Sequence, residues 1–259
     1  MPEGPEIRIM SDFINQKSFN KKFISAFHVK KGNQPFEFDE DLGEFEIVST
    51  YHGKKLIIHL NLTNTTIPIY VFMGMSGSWK WVETQEWVET KYTRLKFDTI
   101  DGKSLLLYGG YLGPKYSMYQ NFKSSKSGPD IIQEFNYFVE NVKSNLHKEE
   151  FKKPIYEVLL NQNYFAGVGN YLRSTILYYA DVDPFCSVSE VISDNHKFLE
   201  LCRDILQKSY ELNGGQLKDW SNPFDSNSDE FDKWVFYQKG SSLKDKQGRT
   251  FWYNTKWKK

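Results

Sequence analysis

The amino terminus, Met-Pro-Glu-Gly-Pro-Glu, places one amine and two carboxyl groups within six residues. Methionine before proline is normally removed, which would leave Pro2 with a free secondary amine. An α-amino group has a pKa of about 8 and is partly unprotonated near neutral pH, so attack on an aldehyde carbon would form an iminium ion. Glu3 would exchange protons beside this amine, and Glu6, one helical turn later, would orient the amine or the substrate. Taken alone, the stretch is better explained as a solvated terminus stiffened by proline.

A second candidate is the stretch Ala-Gly-Val-Gly-Asn at 166–170, between a predicted helix that ends near 163 and another that begins near 170. Asn170 is a suitable cap for the second helix. The glycines allow close approach to backbone amides at a helix N-terminus, where an anion binds readily and phosphate is the natural ligand. The alternative is an ordinary helical hairpin.

Three single residues complete the candidates. Lys54 follows Gly53 at a predicted turn that leads into a strand, although a surface lysine is the simpler interpretation. Met75 lies between glycines in a predicted loop, where it would be either a wedge between bases or a core methionine. Arg249 lies at the predicted tip of a hairpin, free to bind a phosphate through two hydrogen bonds.

Composition limits the classes of protein to consider. Of the 259 residues, 39% are hydrophobic and 17% aromatic, which indicates packed cores rather than disorder. We expect no transmembrane helix, because no apolar run reaches about 18 residues, and no secretory signal, because no basic segment precedes an apolar one. The net charge of zero argues against a nucleic-acid partner, but residues 233–259 carry 8 basic and 1 acidic side chains interleaved with aromatic ones.

The pattern along the chain predicts an α+β fold. The apolar spacing of Ile7, Met10, Phe13 and Ile14 predicts a helix that starts near Pro5. Short alternating runs over 21–120 predict a β-sandwich or barrel-like domain. After a linker at 123–130 the pattern is helical, then loop-like from 214 to 232, and it ends in two strands that flank a turn.

Together, in this order, these motifs resemble the formamidopyrimidine-DNA glycosylase/endonuclease VIII family of DNA-repair enzymes. The resemblance covers nearly the whole chain. It depends on MPEGPE at 1–6, GKKL at 53–56, GMSGSW at 74–79, NQNYFAGVGNYLRSTILY at 161–178 and GRTFWY at 248–253. It implies a two-layered β-sandwich domain over 1–122, a helical domain over 131–232 with a helix–two-turns–helix motif, and a β-hairpin finger over 233–259.

The resemblance also implies roles for single residues. Pro2 matches the nucleophile that attacks the sugar C1′ of a damaged nucleotide, and Glu3 matches the acid/base that protonates the sugar ring oxygen. Glu6 matches a carboxylate that helps to hold the lesion, and Met75 matches a residue that fills the gap in the base stack. Three residues match those that grip phosphates around the flipped nucleotide: Lys54, Asn170 and Arg249. The catalytic set would be Pro2, Glu3 and Lys54, with Glu6, Met75, Asn170 and Arg249 binding the substrate.

The finger departs from most bacterial relatives, in which four cysteines bind zinc. The chain has two cysteines, Cys186 and Cys202, which are expected to be reduced thiols. Asn254 and Trp257 stand where the second cysteine pair would be, and the first pair is missing. The finger is therefore similar to the zincless branch of endonuclease VIII-like proteins. We expect a hairpin with no metal and no cofactor. Three aromatic side chains would pack it: Phe251, Trp252 and Tyr253.

A second departure concerns the loop at 108–117, YGGYLGPKYS, where many relatives carry an Arg-Arg-Phe-Gly loop that reads the opposite base. Leu112 and Tyr116 are candidate substitutes. The endonuclease VIII side of the family implies oxidised pyrimidines and hydantoins as substrates.

The implied partners are damaged double-stranded DNA and single-stranded DNA, bound by a monomer, without a membrane. The implied site of action is intracellular, wherever DNA is: nucleus, nucleoid or viral factory. A catalytically silent binder of damaged DNA on the same scaffold is the alternative.

Overall fold

Two hydrophobic cores divide the chain, one built on a sheet and one on helices. The structure is a computed structural model. It describes residues 2–28, 42–88, 90, 92–112, 127–195, 197–215, 221–226 and 229–258. No helix within these ranges has the length and apolar character needed to cross a bilayer.

The first core joins helix α1 to a six-stranded antiparallel sheet. Helix α1 spans Gly4–Ser18, close to its predicted start at Pro5. The strands are β1 (Phe23–His28), β2 (Glu46–His52), β3 (Lys55–Asn61), β4 (Thr66–Glu83), β5 (Thr93–Thr99) and β6 (Lys103–Leu112). They lie in the order β1-β5-β6-β4-β3-β2.

Strand β4 connects two halves of the sheet, because its first part pairs with β3 and its second part with β6. The outer edges of the two halves meet where Phe23 and Phe45 exchange backbone hydrogen bonds of 2.8 and 3.0 Å. The sheet is therefore folded into two facing layers and joined along one edge. This confirms the predicted sandwich and explains why the sequence pattern also suits a barrel.

The second core is helical. Its helices are α2 (Phe135–Ser144), α3 (Ile155–Val158), α4 (Asn170–Ala180), α5 (Val188–Asp194), α6 (Phe198–Glu211) and α7 (Asp229–Trp234). Helix α4 begins at residue 170, as predicted. Helix α7 begins inside the segment predicted to be a loop, so that prediction is wrong there. The predicted linker boundary stays a prediction, because residues 113–126 lie outside the described ranges.

The C-terminal hairpin packs into this helical core through one face. Its strands are β7 (Ser241–Lys244) and β8 (Thr250–Tyr253), joined as predicted by a turn. Phe251 is fully buried and stacks on Tyr156 at 4.9 Å between ring centroids, and Tyr253 is buried beside it. Trp252 faces the other way and is partly exposed, because side chains alternate along a strand. The predicted packing is therefore right for Phe251 and Tyr253 and wrong for Trp252.

Both cysteines lie in the helical part of the chain. Cys202 is buried in the helical core, and Cys186 is partly buried and packs against the same core. Within the described ranges, no three His, Cys, Asp or Glu side chains are grouped so that they could hold a metal ion.

Candidate active site

Three glycines bring the start of α1, the β2–β3 turn and the loop before α4 into backbone contact. The Gly4 N–H donates to the Gly167 carbonyl oxygen at 2.9 Å. A Cβ atom on Gly53 would lie 3.0 Å from the Gly167 nitrogen, and φ is +55° at Gly53 and +96° at Gly167. Only glycine combines these conformations with such close approach. The junction therefore brings the predicted catalytic residues of the N-terminus and the β2–β3 turn to the N-terminus of α4.

The Glu3 carboxylate occupies the N-terminus of α4. It accepts backbone N–H bonds from Gly169 at 2.7 Å, Tyr171 at 2.9 Å and Leu172 at 3.2 Å. The sequence analysis predicted phosphate as the anion at these amides. A carboxylate of the chain itself fills the position, because the amides and the helix dipole favour any negative charge.

Lys54 lies at the β2–β3 turn, as predicted. The side chains of Lys54 and Glu3 both lie against Gly169, on the side where a Cβ atom would be. A Cβ atom on Gly169 would lie 2.4 Å from Glu3 Oε1 and 2.6 Å from Lys54 Nζ. Burial raises the pKa of Glu3 and lowers the pKa of Lys54, while the attraction between the two groups opposes both shifts. Desolvation is the larger effect for each residue, so the net shift of each pKa is in the direction that burial sets.

Glu6 is a second fully buried carboxyl group, on the first turn of α1. Its Oε1 accepts from the Tyr171 hydroxyl at 2.6 Å and the Gly215 N–H at 2.9 Å, and its Oε2 accepts from the Glu3 N–H at 2.7 Å. Burial, followed by the charge of Glu3, raises the pKa of Glu6 to about 7. The group therefore changes charge near neutral pH.

Pro2 is buried and immediately precedes Glu3 in the chain. The structure thus brings together Pro2, Glu3, Glu6 and Lys54 from two separate stretches of sequence. An amine nucleophile, a proton-carrying carboxyl group and a cation in one place suit iminium chemistry on an aldehyde-level carbon.

Asn170 and Arg249 belong to a network that docks the finger on α4. Asn170 is the first residue of the helix and Gly169 is its N-cap, so the predicted capping role of Asn170 is wrong. The Asn170 side-chain amide instead donates to the Thr250 carbonyl oxygen at 2.8 Å and to the Tyr237 hydroxyl at 3.2 Å. It therefore ties the start of α4 to the start of β8.

Arg249 lies in the hairpin turn, as predicted, but it is not free. Its Nε donates to Asp245 Oδ2 at 3.0 Å, which uses one of the five guanidinium donors. The fully buried Arg173 contacts the same carboxylate oxygen at 3.0 Å and donates to Asn170 Oδ1 at 2.6 Å. Asp245, Arg173 and Arg249 also line a surface cavity of about 390 Å³. Arg249 is 39% exposed, so its remaining donors can reach a ligand in solution.

Met75 lies within strand β4 rather than in a loop, so the predicted loop is wrong. The pairing of β4 with β6 shifts register between Phe72 and Gly77, which places Met75 in an irregular part of the strand. The side chain of Met75 lies outside what the structure describes. The same is true of the Leu112 side chain, at the end of β6, and of residue Tyr116 as a whole.

Sequence reasoning missed two residues that support the site. Asp130 is buried, and its carboxylate accepts from the Gly53 N–H at 2.7 Å and from two amides that follow it in the chain. It fixes the turn that carries Lys54. Tyr171 donates its backbone N–H to Glu3 and its hydroxyl to Glu6. An Asp after Pro129 was a readable turn signal, whereas nothing local distinguishes Tyr171 from an ordinary helix residue.

Comparison with known proteins identifies relatives over the whole chain. Residues 1–109 match the family described as formamidopyrimidine-DNA glycosylase N-terminal domain. Endonuclease 8-like 1 of Homo sapiens is 30% identical over 98% of this chain and 72% of its own length. Endonuclease 8 of Escherichia coli (strain K12 / DH10B) is 30% identical over 69% of this chain and 67% of its own.

The fold is shared with a solved complex between wild-type Lactococcus lactis Fpg and DNA that contains an oxidized pyrimidine. The TM-score is 0.74, at 19% identity, over 98% of each chain. Another solved complex, between the LlFpg protein, a THF-DNA and an inhibitor, has a TM-score of 0.76 at 19% identity and covers all of both chains. These likenesses establish the two-layered sheet domain and the helical domain as a known fold.

Proposed function

Since this chain belongs to the formamidopyrimidine-DNA glycosylase/endonuclease VIII family, we propose that it is a bifunctional DNA glycosylase/AP lyase of base excision repair. The observation that carries the proposal is the cluster of Pro2, Glu3 and Lys54 at the N-terminus of α4. A protein that only binds DNA has no need of a nucleophilic amine beside a buried acid. The alternative of a catalytically silent binder on the same scaffold leaves this cluster without a purpose.

The substrates are oxidised bases in DNA, and pyrimidines and hydantoins in particular. The names of the curated relatives from human and E. coli, on the endonuclease 8 side of the family, support this choice. The partner is damaged double-stranded DNA, with single-stranded DNA as a further substrate, bound by a monomer without a metal or other cofactor. The protein acts in the compartment that holds this DNA.

The reaction begins with the damaged nucleotide flipped out of the stack. The unprotonated Pro2 nitrogen attacks C1′ and forms a C–N bond, and the damaged base departs with the glycosidic electron pair and takes up the proton that the Pro2 nitrogen releases. Glu3 then protonates the ring oxygen, the bond between C1′ and that oxygen breaks, and the nitrogen lone pair forms the iminium ion. The raised pKa of Glu3 suits this step, because its carboxyl group must carry a proton to donate it.

Strand cleavage follows from the iminium ion between Pro2 and the opened sugar. Loss of a proton from C2′ breaks the C3′–oxygen bond, and loss of a further proton from C4′ breaks the C5′–oxygen bond. The iminium accepts the electron pairs and is then hydrolysed to release the free amine. Both phosphates leave as anions, Glu3 regains its proton from C2′, and the C4′ proton passes to water.

The remaining predicted residues hold DNA in this proposal. Lys54, Asn170 and Arg249 bind phosphates around the flipped nucleotide. The exposure of the Arg249 guanidinium leaves donors for this role, and the contacts of Asn170 position it at the edge of the finger. Met75 fills the gap in the stack from the irregular part of β4.

Borohydride trapping on a duplex with an abasic site tests the function. We expect a covalent adduct on the N-terminal peptide of wild type, because borohydride reduces the iminium to a stable amine. The Pro2→Gly variant should lose the adduct, and so should a chain that keeps a residue before Pro2, because its nitrogen is then an amide. Wild type with a processed terminus that binds the duplex without an adduct would establish the silent binder instead.

A further inference from the structure

We propose that Tyr171 is a positioning residue for this reaction: it holds the Glu3 and Glu6 carboxyl groups at a fixed spacing through two different atoms. The inference rests on the proposed function. The Tyr171 backbone N–H donates to Glu3 Oε1 at 2.9 Å, and its hydroxyl donates to Glu6 Oε1 at 2.6 Å. One residue of α4 therefore binds both acidic side chains of α1.

The surroundings of Tyr171 hold its hydroxyl in a single place. The side chain is 2% exposed, and its ring packs edge-on against Phe231 at 5.7 Å between centroids. The hydroxyl oxygen lies 2.9 Å from Ser209 Oγ on α6. Because the phenol donates a hydrogen bond to Glu6, it accepts one from the Ser209 hydroxyl. A short chain of hydrogen bonds therefore runs from α6 through α4 to α1.

The hydroxyl remains a donor across the working pH range. Burial raises the pKa of Tyr171 well above its ordinary value, and the charges of Glu6 and Glu3 raise it further. A phenolate next to two carboxyl groups is therefore excluded. The phenol supplies a fixed donor to Glu6, whose own charge changes near neutral pH.

The other groups that face Glu6 come from four elements. Glu3 opposes its ionisation from the start of α1, and the Lys54 ammonium at the β2–β3 turn favours it. The loop after α6 contributes the neutral Gly215 N–H, and α6 contributes the neutral Ser209 behind Tyr171. Among the described residues, Tyr171 is thus the side chain that donates directly to Glu6.

Removal of the hydroxyl should therefore change the titration of Glu6 and not only the stability of the fold. Without that donor the ionised carboxylate loses one of three hydrogen bonds, while the protonated form loses less. The pH at which Glu6 titrates should rise. The limb of the pH–rate profile that Glu6 controls should then move toward higher pH, whether the ionised or the protonated form is the active one.

The experiment compares pH–rate profiles for excision of an oxidised pyrimidine from a duplex under single-turnover conditions. In Tyr171→Phe we expect one limb to move by about one to two pH units, the shift expected for a hydrogen bond to a charged group. Tyr210→Phe is the matched control, because its hydroxyl donates to another carboxylate of α1, Asp12 Oδ2, at 2.8 Å across the α1–α6 interface. Its profile should stay in place.

Two further variants keep the inference open to refutation. In a Glu6→Gln background, Tyr171→Phe should no longer move the profile. If Tyr171→Phe does not fold, Ser209→Ala removes the donor behind the phenol and should move the same limb in the same direction by a smaller amount. A uniform loss of rate without a moved limb, or an equal movement in Tyr210→Phe, would overturn the inference. Wild type without excision activity would instead refute the proposed function.

Discussion

Gly169→Ala tests the geometry of the site most directly. Gly169 has φ −128° and ψ −155°, an extended conformation that alanine adopts without strain. The added Cβ would lie 2.2 Å from Glu3 Cδ, 2.4 Å from Glu3 Oε1 and 2.6 Å from Lys54 Nζ. The substitution therefore acts through a steric clash with the Glu3 and Lys54 side chains and not through backbone strain.

The magnitude follows from these distances. Non-bonded carbon atoms prefer a separation of about 3.5–4.0 Å, so the Glu3 carboxyl group must retreat by more than about 1 Å. A misplacement of about 1 Å costs on the order of 100-fold in rate. The retreat also breaks the short hydrogen bonds from the Gly169 and Tyr171 amides. Each hydrogen bond to a charged group contributes about 1.5–3 kcal/mol, so the free energy of unfolding should fall as well.

Single-turnover excision and borohydride trapping would measure the loss of activity, and thermal unfolding would measure the loss of stability. Gly102→Ala is the control, because Gly102 has φ +81° in the β5–β6 turn and its Cβ would meet nothing within 4 Å. That variant should lose stability through backbone strain and keep its activity. A Gly169→Ala enzyme as fast as wild type would refute the placement of Glu3 and Lys54 against this glycine.

Three other predictions concern phosphate binding, the finger and pH. Arg249→Ala should lower the slope of log affinity against log salt by about one phosphate contact, whereas the equally exposed Arg203→Ala should leave the slope unchanged in DNA-binding titrations. Phe251→Ala should lower the free energy of unfolding by about 3–5 kcal/mol, and Trp252→Ala should lower it by less than about 1 kcal/mol. A chelator should leave the melting temperature of both variants unchanged. Glu6 binds a proton more tightly in the folded protein, so wild-type stability should fall by on the order of 3 kcal/mol as pH rises from below 4.5 to above 7. Denaturant unfolding at several pH values would measure this dependence, and the free energy of unfolding should vary less with pH in Glu6→Gln than in wild type. An equal dependence in both proteins would contradict the raised pKa of Glu6.

The residue positions that the sequence predicted correctly are those set by short-range spacing. Pro2, Glu3 and Glu6 are close because the chain itself keeps them close, and Lys54 lies at its turn because Gly53 marks one. The start of α4 follows from glycines before the helix and an apolar face along it. These signals need no knowledge of the partner segment.

The parts that the sequence did not predict depend on partners far away in the chain. The amides at 169–172 looked available to phosphate, because no local signal assigns a carboxylate from residue 3 to them. No local signal predicts the burial of Arg173, which depends on Asp245 in the hairpin. Met75 was assigned to a loop because glycines flank it, whereas a strand with an irregular register tolerates glycines as well.

Under the proposed function, the position of the Glu3 carboxylate also determines when the chain becomes reactive. The carboxylate and its neighbouring amine are carried by the helix of the sheet core, whereas the amides that bind it belong to the helical core. A nascent chain, or one in which either half has unfolded, consequently carries only an ordinary terminal amine and an ordinary glutamate. Under the proposed function, the chain would therefore cut DNA only after the two halves have joined.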